Sequence, residues 1–234
     1  MTGTMPGVHM RVLVTCLSIV LASFARPAFA QDPPPPIPLF ALDLHASAPK
    51  FPSDDPLLAL SRGMNVAELP GTGLGVQVGV HVYPLHLRAV TFGVGGELAL
   101  GRARQTPLTA PTTASSATGL RSTEERFSSL SPQLSLNFGN GSGWSYLSAG
   151  LGTSIWSIEP EGLTDYPPNS DRLKAINFGG GGRWFIKRHV AFSFDVRFYA
   201  INPGAAGVNP GTGKVYPGTP RTRLLIIGAG ISVK

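Results

Sequence analysis

Residues 176 to 202 read INFGGGGRWFIKRHVAFSFDVRFYAIN, two alternating runs joined by the basic link Lys187, Arg188 and His189. In the second run Val190, Phe192, Phe194, Val196 and Phe198 share one parity, and Ala191, Ser193, Asp195, Arg197 and Tyr199 take the other. Successive side chains of a strand point to opposite faces, so one face is wholly apolar and the other carries two opposite charges. A helical repeat would scatter both sets. The first run sets Ile176, Phe178 and Trp184 against Asn177 and Arg183, with four glycines at its centre. The stretch is therefore a β-hairpin with one apolar and one polar face. Whether the apolar face meets lipid or a protein core decides what kind of protein this is.

The same alternation recurs along the chain and predicts eight strands, at 39–48, 73–83, 89–101, 127–138, 143–156, 173–185, from 190 onward and at 221–233. Phe40, Leu42, Leu44 and Ala46 oppose Asp43, His45 and Ser47; Leu74, Val76, Val78, Val80 and Val82 oppose Gln77 and His81. Pro84 is expected to end the second strand, and Pro132 to force a bulge in the fourth, because proline cannot donate to a ladder. The turn at 139–142 contains Asn140-Gly141, a strong two-residue hairpin signal that is expected to set Phe138 opposite Gly143. The apolar parity flips across it, to Leu147, Leu151 and Ile155, as an odd pairing sum demands.

Connections alternate strictly between long and short. The long ones cover 49–72, 102–125, 157–172 and 202–220, and are read as polar loops. All long loops then lie at one end of an up-and-down meander and all tight turns, with both termini, at the other. Among all-β folds this predicts an eight-stranded antiparallel transmembrane β-barrel, short turns in the periplasm and long loops outside. Closure also removes the exposed edges of an open sheet.

The N-terminus supports the compartment. Arg11, an apolar run over 12–24 and Ala28-Phe29-Ala30 form a cleavable secretory signal over 1–30. The run is shorter than the ~20 residues of a spanning helix. Thr15 before Cys16 lacks the small size of a lipobox, which argues against lipidation. Residues 31–38, with four consecutive prolines, form a stiff periplasmic lead-in to a barrel domain over 39–234. Removing the signal takes the only cysteine, so no disulfide replaces a core, and lowers the formal charge from +6 by two arginines. The basic residues form no stripe with interleaved aromatics, so no nucleic-acid partner is expected.

The chain resembles the small eight-stranded bacterial outer-membrane β-barrels, the superfamily that includes the OmpA-type transmembrane domain. The resemblance lies in Gly79-Val80-His81-Val82-Tyr83-Pro84 with Gly93-Val94-Gly95-Gly96-Glu97, in the 179–199 hairpin, and in the closing strand. That strand carries Gly228, Ile231 and Val233 like a barrel-assembly signal, with Lys234 where an aromatic is usual. The resemblance implies a Gram-negative outer-membrane location, a porin-like monomer, and the barrel-assembly machinery as a partner in biogenesis.

If the apolar parity faces lipid, the polar parity fills the interior: Asp43, His45, Gln77, His81, Glu97, Asn137, Asn177, Arg183, Asp195 and Arg197. Eight strands leave room for side chains alone. The expected charge network is Arg183 and Arg197 neutralised by Asp195, Glu97 and Asp43. At the loop end Lys50, Arg102, Arg104, Arg126, Lys174, Arg221 and Arg223 take the outward parity. Cations just above an apolar band lie at head-group height, which makes lipopolysaccharide phosphates the expected ligand. Aromatic belts are read from Tyr83, Phe138, Trp144, Trp184 and Phe185 at one end and Trp156, Phe198 and Tyr199 at the other. His45-Ala46-Ser47 is similar to the His-x-Ser pair of outer-membrane lipid A deacylases, but no carboxylate is tied to it by spacing. No catalytic set, metal site or cofactor is expected. A structural or surface-interaction role follows; the alternatives are a lipid A-modifying enzyme, or a soluble secreted barrel with its apolar parity inward around a hydrophobic ligand.

Overall fold

The computed structural model describes residues 34–107, 122–161, 170–208, 213 and 215–234. The signal sequence, Cys16 and the first residues of the lead-in lie outside them. Eight long strands form one closed antiparallel barrel: β1 (Phe40–Lys50), β2 (Leu74–Leu87), β3 (Val90–Gln105), β4 (Thr123–Asn140), β5 (Gly143–Pro160), β6 (Ser170–Phe185), β7 (Val190–Ile201) and β10 (Thr222–Val233). Each pairs with its neighbour in sequence, and β1 closes on β10 from Leu42↔Val233 to Lys50↔Leu225. A small ladder, β8 (Gly207–Val208) with β9 (Val215–Tyr216), lies in the last long connection. The eight-stranded up-and-down barrel read from the sequence is the observed fold.

Outward positions are apolar along every strand, from Leu42 and Leu44 through Val94, Leu134 and Phe178 to Ile227 and Ile231. A contiguous apolar belt of this extent is far beyond what a water-facing surface carries. On β4 the belt runs from Leu130 to Phe138. A segment of about 9 residues, rising ~3.3 Å each and tilted by ~40°, covers roughly 23 Å, close to the ~25 Å apolar band of a transmembrane barrel. The inward-apolar alternative is excluded by this orientation. No helix among the described residues is long and apolar enough to cross a membrane.

Several local expectations are corrected. Pro132 makes no bulge: it pairs with Gly96 in unbroken register, and the ladder to β5 merely skips it between Leu130↔Thr153 and Gln133↔Gly150. The register shift lies instead in β2 between Val82 and Leu85, around Pro84, and β2 continues past that proline to Leu87. The β4–β5 turn is Gly141-Ser142, with Asn140↔Gly143 and Phe138↔Ser145. The slip from the expected pairing is two residues, an even number, so every side chain keeps its face. Gly139, at φ +137, takes the left-handed conformation that starts this turn.

Strands β3 to β6 also run further into the loop end than the alternation suggested, to 16 or 18 residues against 11 to 14 in the other four. They form a tall wall on one side of the barrel. The connection after β1, expected to be a polar loop, is a structured cap. It contains α1 (Pro56–Ser61), whose N-cap Asp55 accepts from the Leu57 and Leu58 amides, and a 3-10 turn at Val66–Glu68. Its base is zipped by Phe51 N–H donating to the Gly71 carbonyl and Gly73 N–H to the Pro49 carbonyl. Phe51, Leu58, Ala59 and Leu69 pack on Phe127, Trp156, Ile158, Tyr199, Ile201 and Leu224 inside the mouth. At the opposite end Ile37 seats among Ala41, Tyr83, Trp144 and Phe185.

Candidate functional site

The interior is layered, with apolar side chains at both mouths and polar ones between. Asp43 and His45 project from β1, Gln77 and His81 from β2, Glu97 from β3, Asn137 from β4, Asn177 and Arg183 from β6, and Asp195 and Arg197 from β7; all are buried. Strand alternation alone puts them there. Their pairing is decided by height along the axis.

Two ion clusters form. In the first, Arg183 donates from Nε at 2.7 Å and from Nη2 at 2.5 Å to the two oxygens of Asp43. Its guanidinium lies 4.2 Å from the Tyr146 ring centre, and Ser232 donates to the same carboxylate. His81 Nδ1 is 3.3 Å from Asp43 Oδ2. In the second, Arg197 meets Glu97 at 3.0 Å and Asp195 at 2.9 Å, and also donates to Asn177 Oδ1 and Ser148 Oγ. Tyr146 donates to Asp195 at 2.8 Å and Tyr199 to Glu97 at 2.7 Å. The five charged residues expected to neutralise one another are thus in contact, and Asp43 is the partner of Arg183. Both guanidiniums are 1% exposed, a burial that charged groups tolerate only when paired and hydrogen-bonded.

Neighbouring glycines make the room. Gly179 pairs with Arg197, and Gly181 and Gly228 with Asp195. A Cβ on Gly181 would lie 2.0 Å from the Phe194 carbonyl oxygen and 2.8 Å from the Tyr146 hydroxyl.

His45 does not engage Ser47. Its Nε2 lies 2.7 Å from Ser193 Oγ, on β7, and both residues of the motif are buried. The His-Ser pair on one strand face is split because Ser193, two strands round the barrel, takes the imidazole.

At the loop end all seven outward cations are exposed. Arg102 and Arg126, cross-strand neighbours, share Glu124, which Arg102 contacts at 2.5 Å. The Arg102 hydrogen bond, with that of Arg126, holds the Glu124 carboxyl below its ordinary range. Arg104 pairs with Glu161. Lys50, Lys174, Arg221 and Arg223 form no ion pair among the described residues. Lys50 and Arg223 border a groove of about 870 Å³ on the outer face, together with Asp54, Leu225, Phe178 and Phe198, the two rings being stacked at 5.6 Å.

The aromatic belts are corrected in part. Trp184, Phe138 and Phe198 face outward, whereas Tyr83, Trp144, Trp156 and Tyr199 are interior packing, and Phe185 is half-buried. Strand height does not distinguish them, because an interfacial ring and a mouth-sealing ring occupy the same height, but parity does: Tyr83, Trp144, Trp156, Phe185 and Tyr199 all fall on the inward parity.

Two buried acids were missed, Glu68 in the cap and Glu125. Glu125, on β4 above the belt, accepts from the Trp156 indole at 2.6 Å through Oε1, and Oε2 has no hydrogen-bond partner among the described residues. Burial pushes its carboxyl up to about 8, against the opposing influence of the Trp156 hydrogen bond and the Arg62 charge. Their positions in presumed loops hid them.

No family model matches the chain, and no curated protein is significantly similar to it. Among solved structures, Neisserial surface protein A (NspA) is 17% identical, covering 84% of this chain and 97% of that one, with a TM-score of 0.45. The attachment invasion locus protein Ail of Yersinia pestis, solved with the heparin analogue sucrose octasulfate, is 10% identical over 83% and 96%, with a TM-score of 0.45. The outer membrane protease OmpT of Escherichia coli is 8% identical over 70% and 64%, with a TM-score of 0.42.

Proposed function

We propose that the protein is a bacterial outer-membrane barrel with a structural or surface-interaction role. The observation that carries this reading is the inversion of polarity: an apolar exterior around a buried, ion-paired interior. Water does not tolerate the first, and only a closed, filled barrel tolerates the second. The tall wall and the α1 cap face outside, and the tight turns face the periplasm. The interior is proposed to be plugged, because Arg183 and Arg197 are held by three carboxylates between two apolar seals. The role is proposed to be non-catalytic, with His45 committed to Ser193.

The loop-end cations Lys50, Arg102, Arg104, Arg126, Lys174, Arg221 and Arg223 are proposed to hold lipopolysaccharide phosphates. The groove below Lys50 and Arg223 supports this reading, since it joins cations to an aromatic floor suited to an acyl chain. The monomer inserts through the barrel-assembly machinery, its β10 signal being read before β10 closes on β1.

Fractionation and gel migration with and without boiling test the location: a membrane-bound form that migrates faster unboiled is expected, and a soluble form would refute it. Planar-bilayer recording is expected to show no steady conductance. Lys50→Ser with Arg223→Ser is expected to lose lipopolysaccharide on native purification; full retention would remove that part of the reading.

A further inference from the structure

The tight-turn end repeats one local design. In the β2–β3 turn, exposed Leu85 and Leu87 are followed by exposed Arg88; in the β6–β7 turn, exposed Trp184 and Ile186 are followed by Lys187 and Arg188. Ile186 is 78% exposed at the tip, beyond the last ladder pair of β6. The third tight turn, Gly141-Ser142, carries neither feature.

These cations meet no acidic side chain among the described residues. Arg88, Lys187 and Arg188 form no ion pair among the described residues, and no described tight-turn residue is acidic. The acidic side chains Asp43, Glu97 and Asp195 are inside the barrel and held by Arg183 and Arg197. At the loop end, by contrast, Glu124 and Glu161 answer Arg102, Arg126 and Arg104. Lys234 does not add to the exposed set, since its Nζ turns across the mouth to the Gly141 carbonyl and lies 3.8 Å from the Phe185 ring centre.

We propose that this end binds anionic phospholipid head groups of the facing leaflet, Arg88, Lys187 and Arg188 holding the phosphates while Leu87, Trp184 and Ile186 sit in the acyl boundary. An apolar side chain next to a cation at the edge of the belt is placed for both halves of such a lipid. The main-chain carboxylate of Lys234 lies beside His189 at this end, but no acidic side chain is described in these turns, so head-group phosphates supply the remaining counter-charge. The inference rests on the membrane-spanning reading above, and concerns the opposite end from the lipopolysaccharide cations.

The test uses the full chain in phosphatidylcholine vesicles, with spin-labelled phosphatidylglycerol and phosphatidylcholine competing for the protein-bound lipid shell. The wild type is expected to prefer phosphatidylglycerol by about threefold, and the preference to shrink in high salt. The triple variant Arg88→Ser, Lys187→Ser, Arg188→Ser should lower that preference, the loop-end cations retaining the rest, whereas the charge-conserving Arg88→Lys, Lys187→Arg, Arg188→Lys should keep it. No preference in the wild type, full preference in the triple variant, or equal loss in both variants would overturn the proposal. Insertion is scored separately by the unboiled gel shift. A wild type that inserts without preference sinks this inference alone, and one that never inserts sinks the membrane reading with it.

Discussion

Arg183 on β6 and Asp43 on β1 meet through two parallel hydrogen bonds inside the barrel, from strands separated by β7 and β10. The pair is fully formed only when the barrel closes, since β1 reaches this position by pairing with β10. It therefore ties the first strand to the last third of the chain.

Asp43→Ala should leave the Arg183 charge buried and unpaired, costing about 3–5 kcal/mol. Asp43→Leu combined with Arg183→Leu should recover much of that loss. Urea unfolding followed by tryptophan fluorescence measures both. Equal destabilisation in single and double variants would show that the pair is not energetically coupled.

Leu58 anchors the cap in the mouth. Leu58→Ala should weaken cap docking by about 2–4 kcal/mol, which speeds exchange of the Ala59, Arg62 and Met64 amides by roughly 30-fold or more. Those amides bond within the cap itself, to the carbonyls of Asp55, Leu58 and Ala59. Barrel amides should be unaffected; a uniform increase would mean that the cap and barrel open together.

Glu125 makes stability depend on pH. Its carboxyl titrates at about 8 in the folded barrel and near 4.5 when unfolded, so the folded state holds the proton more tightly. The stabilisation is complete below pH 4.5 and is lost as pH rises towards 8, by up to roughly 1.4 kcal/mol per unit. Glu125→Gln should flatten this part of the profile. An unchanged slope in that variant would assign the dependence to another group.

Glycines in the wall are not equivalent. Gly181→Ala should destabilise by roughly 2 kcal/mol or more, because its methyl would strike the Phe194 carbonyl and the Tyr146 hydroxyl that serves Asp195. Gly96→Ala on the outward parity of β3 has no heavy atom closer than 3.7 Å and should be tolerated. Comparable losses at both sites would refute the packing argument.

Alternation by itself determined the eight strands, their faces and the alternation of long and short connections, because each follows from the two-residue period of a strand. It also assigned Arg183, Arg197, Asp195, Glu97 and Asp43 to one side of the sheet. It could not pair them: Arg183 stands 140 positions from Asp43, and their meeting depends on strand stagger and closure. The tertiary structure decided that His45 bonds Ser193 rather than Ser47, and that Trp144 and Trp156, inward by parity, pack into two separate apolar seals. It also turned the segment after β1 from a polar loop into a plug, because Leu58 and Leu69 find apolar partners only where the tall wall rises beside them. Local periodicity fixes which way a side chain points, whereas what it meets is set by the register and closure of strands distant in the chain.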